Sequence, residues 1–351
     1  MMTSPAMTAS EPVPFLSIED LHVRFDSARG VVHAVRGVNM RVGKGERLGI
    51  VGESGSGKSV TAHTILRLMP DAQISGRIMM GDKDLVSASS SEMRGIRGRK
   101  IGMVFQDPMT SLDPVRTIGS QVVEAGRHRG LGRREARAEA IDLLGSLGIP
   151  RPSDRFDEYP HHFSGGMRQR VVIAAALMGA PELLIADEPT TALDVRLQAR
   201  LLDMLWVLSQ ERDMSVMLVS HDLALVAGFA DRVAVMYAGA VQESAQVDRL
   251  FDRPAHPYTD GLISSAPRLD AYDHPPLVPI PGSPPPPSVR MAGCRFAPRC
   301  PRAAALCREE EPALLPLADQ SDHRSACHFA EQVQAHGPIP AASVASTSHN
   351  G

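Results

Sequence analysis

The stretch GESGSGKS, residues 52–59, fits the pattern G-x-x-x-x-G-K-[ST] at every fixed position. It follows the apolar run RLGIVG and precedes VTAHTILRLM, which has the composition of a helix. Glycines allow a tight turn in which successive backbone N–H groups point inward, and the start of the next helix adds partial positive charge. A glycine- and serine-rich loop without function would not need this strand–loop–helix context. The sequence therefore predicts that residues 52–59 bind the phosphates of a nucleotide.

The side chains of this loop have separate expected roles. Lys58 is expected to reach the β- and γ-phosphates, and the hydroxyl of Ser59 is expected to bind Mg²⁺. The loop residues expected to contact ATP are Gly52, Ser54, Gly55, Ser56, Gly57, Lys58 and Ser59.

Four apolar runs have the pattern of strands buried on both faces, at residues 47–52, 100–106, 183–188 and 215–221. Each of them ends in residues that should not be buried without a partner. In a parallel sheet, ligands bind at the carboxyl ends of the strands. A polar residue that merely ends a strand is the simpler explanation for any single run, but the four runs together favour one shared site.

The polar strand ends suggest chemistry for that site. Asp187 is expected to hold Mg²⁺ directly or through water, and the adjacent Glu188 to orient and deprotonate the attacking water. Gln106 is expected to contact both the metal and the water, and His221 to contact the γ-phosphate. A solvated loop start for the acidic pair, and a structural role for His221, remain open alternatives at this stage.

Composition limits the class of protein. The chain has 351 residues, 43% of them hydrophobic and 22% charged, with a formal net charge of −3. These values are typical of a soluble globular protein, and the net acidity gives no electrostatic reason to expect nucleic acid. The N-terminus lacks the features of a secretory signal, and no window reaches the roughly 18 apolar residues of a spanning helix. We therefore expect a cytosolic location.

The chain divides into four predicted parts. Residues 1–13 are expected to be disordered, residues 14–267 alternate strand and helix patterns typical of an α/β domain, and residues 331–351 are expected to form a disordered tail. Between them, residues 268–330 form a C-terminal extension that contains all four cysteines. The extension opens with the proline-rich run DHPPLVPIPGSPPPP, which is expected to act as a stiff connector.

A further motif lies at Ser164, Gly165 and Gly166, where SGG precedes the probable helix VVIAAALM. A phosphate-binding loop, a strand-end glutamine, SGG, LLIADEP, TTALD and SH, in that order, resemble the ATP-binding subunit of an ABC transporter. The resemblance covers about residues 15–265. It implies a P-loop NTPase with a RecA-like core, an antiparallel β subdomain and a helical subdomain at about 107–165. SGGM departs from the commoner SGGQ, so Met167 lacks the side-chain amide.

The resemblance also implies residue roles. Two ATP-binding subunits would form a head-to-tail dimer, with each ATP between one loop and the partner's SGG motif. Asp194 would lie at the subunit junction, and Phe25 would stack on adenine, although a plain core phenylalanine is equally open. The helical subdomain would carry a groove for permease helices.

Several segments narrow the resemblance to the ATPases of oligopeptide, dipeptide and nickel importers. They are QDPMTSLDP, FSGGMRQR, HPYT, IPGSPP and the cysteine segment. This branch implies two membrane permeases, a second ATP-binding subunit, different or identical, and an extracytoplasmic solute-binding protein. It implies a peripheral position on the cytoplasmic face of the bacterial inner membrane. Peptide import is the expected function, with import of nickel or another small solute as the alternative. A soluble ABC ATPase acting on nucleic acid or ribosomes is the alternative of another class.

The four cysteines are Cys294, Cys300, Cys307 and Cys327. Their spacing lacks both the ferredoxin pattern and the C-x2-C pairs common in zinc sites. Reduced thiols clustered in a cytosolic protein suggest metal rather than disulfides. The resemblance implies a [4Fe–4S] cluster at these positions, while zinc and free or structural thiols remain alternatives.

Overall fold

A computed structural model describes residues 14–28, 30–107, 111–191, 193–265, 279–289, 291–318 and 320–336. The disorder predicted for residues 1–13, part of the proline-rich connector and the end of the predicted tail lie outside these ranges. No helix within them is long and apolar enough to cross a membrane.

The described strands form two sheets. Their bounds are β1 Leu16–Ser27, β2 Gly30–Val42, β3 Arg47–Val51, β4 Gln73–Met80, β5 Lys83–Asp84, β6 Ile101–Val104, β7 Leu183–Asp187, β8 Ser215–Ser220, β9 Arg232–Tyr237, β10 Ala240–Gln246, β11 Leu315–Leu317 and β12 Gln320–Ser325. The smaller sheet is antiparallel with the order β2-β1-β4-β5, and the larger has the order β11-β12-β10-β9-β3-β8-β7-β6.

The helices pack around these sheets. Their bounds are α1 Lys58–Ile65, α2 Ser90–Ile96, α3 Ile118–Arg127, α4 Arg133–Ser146, α5 Pro152–Arg155, α6 Gly165–Leu177, α7 Val195–Glu211, α8 Leu223–Ala227, α9 Val247–Asp252, α10 Pro257–Ser265, α11 Ala305–Glu309 and α12 Ala330–His336. Short 3₁₀ turns lie at Pro160–His162 and Ala297–Arg299.

The four predicted strands are neighbours in the large sheet. β6, β7, β8 and β3 run parallel in that order, and β9 continues the parallel part. Every residue of β7 and β8 is buried, as the apolar runs predict for strands covered on both faces. Because the strands are parallel and adjacent, their carboxyl ends meet at one edge. The predicted α/β architecture is confirmed.

Helices α3, α4 and α5 lie in the described part of the region between β6 and the SGG motif. Gly119 lets α3 approach Phe156 closely, since a Cβ at this glycine would lie 2.1 Å from the phenylalanine ring. Arg137 of α4 covers the same ring at 4.0 Å from its centroid. The inward face of α4 carries Leu143 and Leu144, both fully buried. This is the region that the sequence predicts as a helical subdomain.

The C-terminal extension is part of the main core. Strands β11 and β12 continue the large sheet through an antiparallel pairing of β12 with β10. Cys294, Phe296 and Cys307 belong to the same buried apolar cluster as the helices beneath the sheet. Helix α12 ends at His336, so ordered structure extends beyond residue 330, where the sequence analysis expects the disordered tail to begin.

One buried carboxylate fastens the extension to the sheet. Glu243 of β10 accepts hydrogen bonds from the backbone N–H groups of Ala255, at 2.6 Å, and His256, at 2.9 Å. Its Oε1 also lies 2.7 Å from Nε2 of His323 in β12. The side chains of Glu243 and His323 are both 0% exposed, so water cannot replace any lost partner.

Replacing Glu243 with glutamine should therefore destabilise the protein. An amide carries one acceptor oxygen, and its NH₂ group would face N–H donors. Breaking a buried, hydrogen-bonded pair of this kind typically costs about 3–5 kcal/mol. The measurement is urea unfolding followed by circular dichroism, with Glu309→Gln, an exposed carboxylate in α11, as the control. A Glu243→Gln protein as stable as the control would contradict the proposed fastening role.

Candidate functional site

The loop between β3 and α1 adopts a conformation that requires glycine at two positions. Gly52 has φ +152°, and a Cβ there would lie 2.1 Å from the carbonyl oxygen of Met236. Gly57 has φ +99°, and a Cβ there would lie 2.7 Å from the carbonyl oxygen of Ala34. Any other residue would be both strained and in collision with backbone. The glycines of the motif thus let the loop turn tightly into α1.

Lys58 lies at the first turn of α1 and folds back over the loop. Its Nζ donates to the carbonyl oxygens of Gly52, at 2.7 Å, and Glu53, at 3.0 Å. The side chain is almost fully buried, and burial lowers the pKa of Lys58. A desolvated ammonium held by two neutral carbonyls is ready to bind an anion of high charge.

The hydroxyl of Ser59 and the carboxylate of Asp187 lie together, although they are far apart in sequence. Ser59 Oγ donates to Asp187 Oδ1 at 2.8 Å, and Asp187 Oδ2 lies 3.0 Å from His63 Nε2. The side chain of Asp187 is 1% exposed. A serine hydroxyl beside a buried carboxylate is an oxygen donor set suited to Mg²⁺.

Three residues cluster around the carboxylate of Glu188. Its Oε2 accepts from Gln106 Nε2 at 3.1 Å and from Thr191 Oγ1 at 2.9 Å, and it lies 3.4 Å from His221 Nδ1. The strand ends of β6, β7 and β8 therefore bring Gln106, Glu188 and His221 to one point. Glu188 has φ +46°, a left-handed conformation that is uncommon outside glycine and is held by its N–H bond to Val219 O at 2.9 Å.

Ser56 of the loop is buried, and its hydroxyl lacks a hydrogen-bond partner among the described residues. A buried polar atom without a partner is unusual in a protein interior. This orphaned hydroxyl, together with Lys58 and the Ser59–Asp187 pair, fits a triphosphate with Mg²⁺.

The SGG motif lies at the N-terminus of α6, and its first two residues are exposed. Ser164 caps the helix, its hydroxyl accepting from the N–H of Met167 at 3.4 Å. None of the hydrogen bonds described for Ser164, Gly165 or Gly166 reaches the glycine-rich loop of the same chain. The motif therefore presents a helix N-terminus outward, where an anion from another molecule can approach.

Two further predicted residues have local contacts of their own. Asp194 is exposed and caps α7, its Oδ1 accepting from the N–H groups of Arg196, at 3.1 Å, and Leu197, at 3.0 Å. Phe25 is half-buried on β1 opposite Val32 and packs against the core of the smaller sheet. Both positions leave part of the side chain open to a neighbouring molecule.

The sequence analysis missed two residues at the site, His63 and Thr191. His63 lies four positions after Ser59 in α1, and this spacing puts both side chains on the same helix face beside Asp187. Thr191 lies three residues after Glu188 in the DEPTT segment, within reach of its carboxylate. Both residues could have been found from the sequence, because each lies only three or four positions from a predicted site residue.

The four cysteines line one pocket of about 20 Å³ together with His256 and Phe296. Burial raises the pKa of Cys300 to about 11 and that of Cys327 to about 12. Backbone N–H groups oppose this shift, among them that of Phe329, which donates to Cys327 Sγ at 3.4 Å.

No group of three or more His, Cys, Asp or Glu side chains in the described ranges, which include all four cysteines, is arranged to hold a metal ion. The iron–sulfur cluster and the alternative zinc site implied for Cys294, Cys300, Cys307 and Cys327 are therefore not supported by the arrangement of these residues. The four cysteines, which lie in one segment of the sequence, do line one pocket. Their spacing in the sequence does not determine the directions in which their sulfur atoms point.

Two family models match the chain. Residues 35–191 match the one described as ABC transporter, and residues 242–307 match the one described as oligopeptide/dipeptide transporter, C-terminal region. The second match spans β10 through most of α11, and includes three of the four cysteines.

Curated relatives extend the similarity to almost the whole chain. The dipeptide transport ATP-binding protein DppD of Bacillus subtilis (strain 168) is 48% identical over 328 residues, 92% of this chain and 97% of that protein. The oligopeptide transport ATP-binding protein OppD of the same strain is 48% identical and covers 87% of this chain and 86% of its own length. A putative peptide import ATP-binding protein of Brucella abortus (strain 2308) is 51% identical over 312 residues, 88% of this chain and 94% of that protein.

Solved structures share the cassette. The dimeric post-hydrolysis structure of the ATP-binding cassette MJ0796 bound to ADP and Pi matches with a TM-score of 0.60 and 27% identity over 66% of this chain and 98% of that chain. The structure of cbiO1 from Clostridium perfringens, part of the ABC transporter complex cbiONQ, matches with a TM-score of 0.59 and 28% identity over 68% and 90%. The chain therefore belongs to the ABC transporter family, among the ATP-binding subunits of its oligopeptide and dipeptide branch.

Proposed function

We propose that this chain hydrolyses ATP to drive the import of dipeptides or oligopeptides through a membrane ABC transporter. The observation that carries the proposal is that the phosphate-binding loop and the Glu188 cluster lie at the same edge of the large sheet. The curated relatives named for dipeptide, oligopeptide and peptide transport support the substrate class, as does the match of residues 242–307 to the peptide-transporter C-terminal region. Nickel or another small solute is the alternative cargo.

In this proposal the loop N–H groups and Lys58 bind the β- and γ-phosphates. Ser59 and Asp187 hold Mg²⁺, with Gln106 as a further ligand. When bound, Mg²⁺ offsets part of the negative charge on the triphosphate. Phe25 supplies an aromatic face for adenine. This division of roles follows from the residue types and from the contacts that bring them to one edge.

Hydrolysis is assigned to the cluster around Glu188. Its carboxylate accepts a proton from the attacking water, while Gln106 contacts that water and His221 contacts the γ-phosphate. Thr191 and His221 already lie beside the carboxylate and hold its oxygen in one direction.

A second ATP-binding subunit, a related chain or a second copy of this one, would complete the site. Its Ser164, Gly165 and Gly166 would offer a helix N-terminus to the same phosphates, and Asp194 would lie at the junction. The outward exposure of the SGG motif supports this arrangement. So does the solved relative MJ0796, which is described as a dimer.

We assign the domain boundaries as residues 14–267 for the ATP-binding domain and from 268 onward for the extension. The helical region at about 107–165 is proposed to contact two permease subunits, through which an extracytoplasmic solute-binding protein delivers the cargo. This places the chain on the cytoplasmic face of the cell membrane. A formal net charge of −3 argues against a nucleic-acid partner and hence against a soluble ABC ATPase acting on DNA or ribosomes.

Co-purification tests the transporter assignment. The chain is affinity-tagged in its native organism and extracted in mild detergent. Two hydrophobic permeases should co-purify with it and be identified by mass spectrometry. A chain with its helical surface altered by Val115→Asp, an exposed position in the 107–165 region, should bring down less permease at equal expression. Recovery of ribosomes or nucleic acid in place of permeases would contradict the assignment.

We also propose that Cys294, Cys300, Cys307 and Cys327 hold an iron–sulfur cluster or, as the alternative, zinc. The support is the donor set: four thiols share one pocket with apolar walls, and those of Cys294, Cys300 and Cys327 accept backbone N–H groups. Soft thiolates favour these metals, and ligation would displace thiol protons. Because the described arrangement does not bring three ligands to one point, binding would require the sulfur atoms to turn inward.

Elemental analysis tests this second proposal. Full-length protein purified without oxygen should contain stoichiometric iron and acid-labile sulfide, with visible charge-transfer absorption, and Cys300→Ala should remove both. Stoichiometric zinc in colourless protein would support the alternative. Protein that binds neither metal, with four reactive thiols, would overturn the proposal.

A further inference from the structure

The C-terminal extension contacts the phosphate-binding loop directly through one side chain. Nη1 of Arg299 lies 2.9 Å from Oε2 of Glu53, the second residue of the loop. These residues are 246 positions apart in sequence. The arginine is 6% exposed and the glutamate is 26% exposed, so the pair is shielded from solvent on the extension side.

Arg299 is held in a single orientation by groups other than Glu53. Its Nε donates to the carbonyl oxygen of Pro281 at 2.8 Å, and Nη2 donates to that of Ile280 at 3.3 Å. The guanidinium also lies over the rings of Tyr237, at 5.6 Å, and Phe296, at 6.0 Å. The IPGSPP segment thus acts as a fixed cradle for a cation that points at the loop.

The backbone of Glu53 is fastened from two further directions. Its N–H donates to the hydroxyl of Tyr258, a buried residue of the HPYT segment, at 2.9 Å. Its carbonyl oxygen accepts from Nζ of Lys58 at 3.0 Å. A shift of Glu53 would therefore move the carbonyl that holds the lysine ammonium. Two segments outside the ATP site therefore contact Glu53. Residues 256–259 do so through Tyr258, and residues 280–285 do so through Arg299.

The contact between Arg299 and Glu53 also affects the charge of the phosphate-binding loop. Glu53 places a carboxylate within the loop that is proposed to bind a triphosphate, and an unpaired carboxylate there would repel that anion. Arg299 neutralises this carboxylate from the far side of the loop. Burial lowers the pKa of Lys58, and the negative charge of Glu53 opposes part of this shift, so the charges of the two side chains interact.

We propose that Arg299 is a positioning residue for the nucleotide site, which acts through Glu53 to fix the loop and to cancel a charge that opposes ATP. The inference rests on the proposed nucleotide site at residues 52–59. Because Arg299 belongs to the cysteine segment, immediately before Cys300, the conformation of that segment and the affinity for ATP are coupled. By thermodynamic linkage, ATP binding must stabilise the segment by the same factor.

A double-mutant cycle tests the proposal in the full-length chain. Equilibrium titration with ATP and Mg²⁺ should show Arg299→Gln binding about 10-fold more weakly than wild type, since one buried partner of a charged pair is lost. Glu53→Gln removes the carboxylate on which Arg299 acts, so in that background Arg299→Gln should change the affinity for ATP by less than about 3-fold. The double variant should therefore bind ATP more tightly than Arg299→Gln alone, because removing the carboxylate also removes the repulsion. Arg308→Gln, an exposed arginine of the same segment, is the matched control.

The rescue separates positioning from a merely structural role. If Arg299 only stabilised the extension, adding Glu53→Gln would leave the affinity of Arg299→Gln unchanged or lower it further, and either result would overturn the proposal. Thermal unfolding checks that each variant is folded. Should Arg299→Gln fail to fold, Arg299→Lys, which keeps the charge but loses the forked hydrogen bonds, should bind ATP more weakly than wild type and be rescued in the same way.

A parallel variant distinguishes failure of this inference from failure of the proposed site. Lys58→Ala should lose ATP affinity whatever the role of Arg299. If Lys58→Ala binds weakly while Arg299→Gln binds like wild type, only the positioning role is wrong. If both variants bind like wild type, the nucleotide site itself is wrong, and the inference falls with it.

Discussion

Replacing Glu188 with glutamine is expected to leave ATP binding intact and to lower the hydrolysis rate of the assembled transporter by about 10²- to 10⁴-fold. Glutamine fills the same space and can still contact Gln106, Thr191 and His221, but it cannot accept a proton from water. The loss should therefore appear in kcat, with little change in KM. Steady-state phosphate release and ATP titration of the same preparation measure the two quantities separately.

Glu182→Gln provides the control for this experiment. Glu182 lies just before β7, is exposed, and is paired with Lys100 away from the site. It should hydrolyse ATP at the wild-type rate. Turnover of Glu188→Gln within a few-fold of wild type would show that another group takes the proton, and the strained backbone at Glu188 would then need a different explanation.

Replacing Lys58 with alanine is expected to weaken ATP binding by about 100-fold, because the loop loses its one buried cation. In the described structure this ammonium is already stripped of water, which is why burial lowers its pKa. The negative charge of a triphosphate stabilises this desolvated ammonium, and an alanine side chain cannot form that interaction. Isothermal titration with ATP and Mg²⁺ measures the change.

Lys83→Ala is the matched control for Lys58→Ala. Lys83 is an exposed lysine of the smaller sheet and is paired with Glu92. Its removal should leave the affinity for ATP unchanged. Wild-type affinity in Lys58→Ala would exclude this lysine from the nucleotide site.

The convergence of strand ends could be predicted from sequence because it depends on local pattern alone. Apolar runs buried on both faces are typical of parallel sheets, and parallel neighbours share one carboxyl edge. The sequence alone therefore predicts that Gln106, Glu188 and His221 lie together. The glycine pattern of the loop was readable for the same reason, since tight left-handed turns tolerate few other residues.

The role of the extension could not be predicted in the same way. The sequence predicts a C-terminal extension that opens with a stiff proline-rich connector and binds a metal at its cysteines. In the structure it adds β11 and β12 to the main sheet and contributes Phe296 to the main core. The contact between Arg299 and Glu53 joins residues 246 positions apart, and no spacing in the sequence reports such a contact.

The cysteines illustrate a different limit. Their clustering correctly placed them around one pocket, yet the direction of each sulfur depends on side-chain rotamers set by packing. Cys294 and Cys307 are buried in the main apolar core, where they pack as small hydrophobic side chains. Residue type and spacing could name the donors, but they could not determine whether the donors are aimed at a common ion.

In the proposed dimer, the two parts of each ATP site come from different subunits. The loop with Lys58 and Glu188 lies at the sheet edge, while the SGG motif faces outward from α6. A nucleotide bound between two such subunits would join them, and its hydrolysis would release them. This cycle explains how a loss of one phosphate could be converted into movement of attached permeases.

Uptake into vesicles tests the central claim, that hydrolysis at this site drives peptide import. Vesicles carrying the complete transporter, with its solute-binding protein, are supplied with a labelled dipeptide in the presence or absence of ATP. We expect accumulation of the dipeptide only with ATP and only with Glu188 intact. Accumulation without ATP, undiminished accumulation with Glu188→Gln, or transport of nickel in place of the peptide would contradict it.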